Sequence, residues 1–80
     1  MEKKQVTFYY KQGCHLCEDM WYHLLETQQE QPFEIESVDI TSDESLIQQY
    51  GTLIPVLTGD GEPLCNYYLD PVALNKFLNS

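Results

Sequence analysis

Val6-Thr7-Phe8-Tyr9-Tyr10-Lys11-Gln12-Gly13-Cys14-His15-Leu16-Cys17 is the stretch from which the fold can be read. Its first five residues are β-branched or aromatic and predict a strand. Lys11-Gln12-Gly13 interrupts it. From Cys14 the apolar period changes: Leu16, Cys17, Met20, Trp21, Leu24 and Leu25 recur as one stripe on a helix, and Glu18, Asp19 and Glu26 lie off it. The helix fades through Thr27-Gln28-Gln29-Glu30-Gln31 and has ended by Pro32.

Working outward, Phe33, Ile35, Val38 and Ile40 predict a second strand. Its alternation changes parity between Ile35 and Val38, which suggests a bulge or twist there. Thr41 with Glu44 three residues later matches a capping box, with Ser42 or Asp43 as other possible caps. Leu46, Ile47 and Tyr50 mark a short helix, and Gly51 reads as its glycine stop. Leu53-Ile54-Pro55-Val56-Leu57-Thr58 predicts a third strand, Gly59-Asp60-Gly61 a hairpin turn, and Glu62-Pro63-Leu64-Cys65 a fourth strand. Pro63 lacks a donor N–H, so that strand belongs at an edge. Asp70-Pro71 supplies an N-cap and a first-turn proline to a last helix with Val72, Ala73, Leu74, Phe77 and Leu78 on its apolar face. The order is β-α-β-α-β-β-α. A strand–helix–strand start implies a parallel pair, and the hairpin an antiparallel one. The expected architecture is α/β, with a mixed four-stranded sheet and three helices. Residues 1–80 form one domain.

The spacing of Cys14 and Cys17 has a chemical reason. Residues three apart on the first turn of a helix face the same side, so two sulfurs can close a small disulfide ring there. The first sulfur meets the unpaired N–H groups and the positive end of the helix dipole. Both favour the thiolate, which can bring a cysteine pKa from ~8.5 down into ~3.5–7.5. Cys14 is therefore the expected nucleophile. Cys17, one turn in and on the apolar stripe, is the expected resolving sulfur. A protonated His15 would stabilise the thiolate, and Glu18 and Asp19 would oppose it; an exposed turn histidine is the simpler alternative. Lys11 lies within reach of an anion at the sulfur, or is an ordinary solvated lysine. Pro55, inside an apolar strand, is unexpected because proline removes a ladder hydrogen bond.

Composition narrows the classes. The net charge is -9, from 13 acidic residues against four lysines and no arginine. Nucleic-acid binding needs a basic face to neutralise phosphates, and anionic membrane surfaces are disfavoured for the same reason. No apolar run approaches a membrane span. Met1-Glu2-Lys3-Lys4-Gln5 leads into a strand without the apolar segment of a signal peptide, so a cytoplasmic location is expected. Three cysteines is an odd count; a stapled secreted scaffold would have an even one. In a reducing compartment a close cysteine pair points to catalysis or metal binding. A chain of 80 residues buries only a little over ~60% of its unfolded surface, so its core is thin.

Taken with their surroundings, these residues resemble the glutaredoxins of the thioredoxin fold. The closer resemblance is to a small glutaredoxin-like family, long catalogued as a domain of unknown function, with Cys-His-Leu-Cys at its first helix. The resemblance runs from Val6 to Leu78. Its most specific marks are Tyr10-Lys11-Gln12-Gly13-Cys14-His15-Leu16-Cys17 and Gly51-Thr52-Leu53-Ile54-Pro55-Val56-Leu57, with Tyr68-Leu69-Asp70, Leu74 and Phe77-Leu78 as a weaker third. It implies a thiol–disulfide oxidoreductase: Cys14 attacks a disulfide and Cys17 releases the product. It implies a cis Pro55 beside the dithiol, and an Ile54 whose backbone N–H and C=O pair with an extended substrate. It places Lys11 where glutaredoxins meet a glutathione carboxylate, His15 and Leu16 between the cysteines facing the substrate, and Asp70 near the γ-glutamyl end.

Two departures stand out. Glutaredoxins carry Pro-Tyr or a similar pair between their cysteines, and Gly-Gly before the acidic residue of the last helix; this chain has His15-Leu16 and Asn66-Tyr67-Tyr68. The implied partners are protein or glutathione disulfides, acting on a monomer. No cofactor or metal is expected, and glutathione would enter as co-substrate. Two other classes stay open. One is a redox-sensing or redox-inert module that binds a protein through the groove at Ile54-Pro55. The other is a zinc or iron–sulfur site using Cys14, Cys17 and Cys65, although only one C-x-x-C is present.

Overall fold

Alternation along the first strand decides what each face of the sheet carries. The computed structural model describes residues 4–80; Met1, Glu2 and Lys3, part of the segment read above for a signal peptide, lie outside them. In β1 (Gln5–Tyr10), Val6 and Phe8 are buried. Phe8 packs against Trp21 with ring centroids 5.5 Å apart, whereas Tyr9, on the opposite face, stacks on Tyr50 at 4.5 Å. The chain continues through α1 (His15–Glu30), β2 (Glu34–Asp39), a 3-10 turn (Ile40–Ser42), α2 (Glu44–Tyr50), β3 (Val56–Gly59), β4 (Glu62–Asn66) and α3 (Pro71–Leu78). The strand order is β2-β1-β3-β4. β1 and β2 are parallel, and the other pairs are antiparallel. This is the mixed four-stranded sheet with three helices that the sequence predicts.

Register then assigns the layers. Gly59 pairs with Val6 on the Phe8 face, and a Cβ on Gly59 would lie 2.7 Å from the Phe77 ring of α3. So α1 and α3 cover one face and α2 the other. Helix α1 starts because Cys14 is extended (φ -97, ψ 110) and its sulfur accepts a first-turn N–H. It buries Cys17, Met20 and Leu24 of the expected stripe. It stops at Gln31, which is extended (φ -143), as a residue before proline prefers. Asp60 and Gly61 both have positive φ (52 and 82), which is the turn geometry that suits the twist of a two-residue hairpin. β4, with Pro63, is the edge strand as expected.

Four expectations are corrected or narrowed. β2 has no bulge: it pairs with β1 residue by residue from Gln5–Glu34 to Tyr10–Asp39. The parity change is a change of face. Ile35 and Ser37 lie beside Val6 and Phe8 on the α1 side, and Val38 lies beside Tyr9 on the α2 side. The register irregularity falls instead between Leu57 and Thr58, against β4. Of the three caps the sequence offers for α2, Asp43 is the one that serves, its carboxylate accepting the Ser45 N–H at 2.8 Å. Thr41 is occupied elsewhere: its N–H and hydroxyl both donate to Asp39, which lowers the Asp39 pKa, the hydroxyl contributing most. Gly51 does end α2, as its C-cap, but it is right-handed (φ -55, ψ -32) rather than left-handed; it is small because a Cβ there would press on the Ile47 carbonyl oxygen. The third strand begins at Val56 rather than Leu53, because Leu53 and Ile54 both donate back to the Tyr50 carbonyl at 2.8 and 3.1 Å and hold the chain in a turn.

Candidate functional site

The C-terminal end of β1 feeds Cys14 into α1, and β3 begins at the same end of the sheet, since Val56 pairs with Tyr9. The cysteines and Pro55 are thus delivered to one end of the sheet by its two central strands. Cys14 and Cys17 have Cα atoms 5.2 Å apart and sulfurs at disulfide distance. The two sulfurs are not equivalent. Cys14 is half-buried at the N-cap, and its sulfur accepts the Cys17 N–H at 3.1 Å. Cys17 is only 3% exposed and belongs to the core cluster. The Cys14 carbonyl accepts the first helical bond, from Glu18. One residue therefore caps the helix and carries the accessible sulfur.

His15 projects into solvent, its side chain 97% exposed, with Nδ1 3.9 Å from a Glu18 carboxylate oxygen. Its charged neighbour is thus an acid. Leu16 is half-buried. Lys11 is exposed and forms no ion pair among the described residues. It lies on the rim of a groove of about 450 Å³ that Phe8, Tyr10, Cys17, Trp21 and Ser37 also line. The groove opens where Ser37 puts a small polar side chain on the α1 face of β2. The parity break in the sequence is the mark of this notch.

The Ile54–Pro55 peptide bond is cis, and Pro55 is fully buried. Ile54 is 8% exposed. Its N–H is already bonded to Tyr50, so of the two backbone groups expected to meet a substrate only the carbonyl is free of that bond. Asp70 caps α3, accepting the Val72 and Ala73 N–H groups at 3.0 and 3.2 Å. Asp70 is not among the residues that line the groove beside Lys11; its neighbours Leu69 and Pro71 line a separate, smaller cavity with His23, Glu26 and Thr27. Cys65, in β4 opposite Leu57, is half-buried and away from the pair. Burial raises its pKa, and a backbone hydrogen bond at Asp70 works against that rise. Among the described residues no group of three or more His, Cys, Asp or Glu side chains is placed to hold a metal.

Sequence reasoning passed over Tyr67. Its N–H donates to the Pro55 carbonyl at 2.9 Å, and its hydroxyl donates to the Thr52 carbonyl at 2.7 Å. Its φ is +66, a left-handed value that favours glycine. The available signal was its position, in the Asn66-Tyr67-Tyr68 segment where the resemblance leads one to expect Gly-Gly.

A parallel β-α-β start, an antiparallel hairpin, a paired C-x-x-C at a helix N-terminus and a cis proline at the same sheet end define a thioredoxin-fold protein. The chain belongs to the glutaredoxin-like domain family (DUF836), whose model matches residues 5–79. A Nitrosomonas europaea protein solved by NMR is similar over 98% of this chain and 94% of its own, at 34% identity and a TM-score of 0.88. A crystal structure from X. campestris is similar at 29% identity and a TM-score of 0.70, covering 92% of this chain and 95% of its own. Mitochondrial thioredoxin 3 of Saccharomyces cerevisiae, in oxidized form, shares the fold at 24% identity and a TM-score of 0.64, over 99% of this chain and 79% of its own. No curated protein matches the chain. No helix among the described residues is long and apolar enough to cross a membrane.

Proposed function

We propose that this protein is a thiol–disulfide oxidoreductase of glutaredoxin type. The observation that carries the reading is the asymmetry of the pair. Cys14 is accessible and its sulfur receives a helix N–H, whereas Cys17 is buried one turn behind it. A donor aimed at a sulfur favours the thiolate, the form that attacks.

In the proposed cycle the Cys14 thiolate attacks one sulfur of a substrate disulfide. A Cys14–substrate bond forms, the substrate's S–S bond breaks, and one substrate thiolate leaves and takes a proton. The Cys17 thiol then loses its proton and attacks the Cys14 sulfur. The Cys14–Cys17 disulfide closes and the second substrate thiol departs. Two electrons pass from the dithiol to the substrate, and an external thiol restores the pair. The substrates we propose are protein or glutathione disulfides in a reducing cytoplasm. Lys11, His15, Leu16 and the Ile54 carbonyl would form the contact surface around Cys14, with the buried Pro55 setting the loop beneath it and Asp70 at its margin.

Cys14→Ser and Cys17→Ser test this directly in a disulfide-reduction assay. Cys14→Ser should lose activity to background. Cys17→Ser should still attack and should accumulate a covalent adduct at Cys14, read by intact mass after incubation with a disulfide peptide. Equal turnover by Cys14→Ser and the parent protein would sink the assignment.

A further inference from the structure

Tyr67 sits in a conformation that needs a compensation. Its φ of +66 is uncommon for any residue with a side chain and unusual for a bulky one. The turn is tight as well: the Tyr68 N–H donates to the Asn66 carbonyl at 2.8 Å, closing a three-residue γ-turn around Tyr67. γ-Turns with a positive central φ are rare and strained. Such strain persists only where the surroundings over-determine it, and it gathers at ligand clamps and active sites. Here the surroundings are the 52–55 loop. Tyr67 grips it at two points: its N–H holds the Pro55 carbonyl at 2.9 Å, and its hydroxyl holds the Thr52 carbonyl at 2.7 Å. From the other side, Tyr50 accepts from the Leu53 and Ile54 N–H groups. The Thr52 and Pro55 acceptors and the Leu53 and Ile54 donors are thereby all used internally. The Ile54 carbonyl accepts no hydrogen bond from the described residues.

We propose that Tyr67 is a positioning and specificity-determining residue: strapped across the 52–55 loop, it presents the Ile54 carbonyl as a lone acceptor for a peptide N–H of the disulfide substrate. The inference rests on the oxidoreductase reading and deepens it by naming a substrate class. An acceptor without a neighbouring donor selects substrates that bring an N–H beside the reacting sulfur. Peptide disulfides do so. A dialkyl disulfide such as bis(2-hydroxyethyl) disulfide has no amide and gains nothing from the strap.

Tyr67→Phe removes the hydroxyl and leaves the ring and the Pro55 bond. One neutral, partly solvated hydrogen bond corresponds to a change between about two- and tenfold. The expected result is a KM for a peptide disulfide raised by that factor, with kcat/KM for bis(2-hydroxyethyl) disulfide unchanged. Amide hydrogen exchange at Leu53 and Ile54 should quicken by a similar factor. Tyr67→Gly, which suits the left-handed backbone, should fold and reproduce the split. Unchanged kinetics on both substrates in Tyr67→Phe, or an equal loss on both, would overturn the proposal while leaving the dithiol chemistry intact. A parent protein inactive on both substrates would instead remove the oxidoreductase reading and this inference with it.

Discussion

The two halves of the candidate site are held by opposite kinds of force. The Cys14–Cys17 turn is built from neighbours: an extended N-cap, a sulfur that takes the N–H three residues on, and a carbonyl that takes the N–H four residues on. The Ile54–Pro55 loop is built from distant pieces. Only its bonds to Tyr50 are local; Tyr67 reaches it from twelve or more positions away, and β1 pairs with the strand that follows it. The contrast teaches where each half is vulnerable. Local hydrogen bonds survive as long as the helix does. A loop fixed by long-range contacts depends on every element that supplies one.

The largest expected effect lies under the loop. Leu57, fully buried in β3, pairs with Phe8 and Cys65. Leu57→Ala should cost about 2–5 kcal/mol in urea unfolding, a large share of the ~5–15 kcal/mol a domain commands. Native-state exchange sharpens the test. The Leu53 and Ile54 amides should lose more protection than the Glu18 amide, and an equal loss would break the contrast between the two halves.

The next effect lies on the local half. Cys14→Ala removes the cap and should destabilise the reduced protein by about 1 kcal/mol relative to Cys14→Ser, since serine is among the preferred N-cap residues. Thermal melts under a non-thiol reductant would read the difference. Identical melting of the two variants would mean that the turn is held by packing, not by its cap.

The smallest effect concerns Cys65, on the strand behind the loop. Its pKa is raised above the ordinary 9.0, chiefly by burial. A thiol whose pKa is higher folded than unfolded contributes stability that is present below about pH 9 and lost as pH rises through the folded value. The stability difference between the parent and Cys65→Ala should therefore shift against the parent from pH 8 to pH 10. A flat difference across that range would place Cys65 in an environment as wet as the unfolded chain.

Much of this molecule is legible along the chain because its signals are local. The strand-to-helix switch at Cys14, the apolar stripe to Leu25, the stop at Gln31 before Pro32, the Asp60-Gly61 turn and the Asp70 cap with Pro71 behind it are each set by residues within a turn of one another. The misreadings share a cause. The parity break at Ser37 looks like a bulge only when β2 is read alone; beside β1 it becomes a change of face and the notch of a groove. Thr41 matches a capping pattern, but it lies in the 3-10 turn that Asp39 caps, and α2 starts later, behind Asp43. Leu53 and Ile54 are apolar enough for a strand, yet the Tyr50 carbonyl captures both amides.

Element order, the α/β class and the identity of the sulfur pair are written along the chain, because hydrophobic period, proline and glycine placement and C-x-x-C spacing act over a few residues. Which backbone groups around Pro55 are free, that Asp70 does not line the groove beside Lys11, and that Tyr67 fastens the loop all came from the folded arrangement. Those outcomes depend on which distant donor reaches each acceptor first. That is settled when β3 pairs with β1 and β4 brings its last residues back across the dithiol end of the sheet.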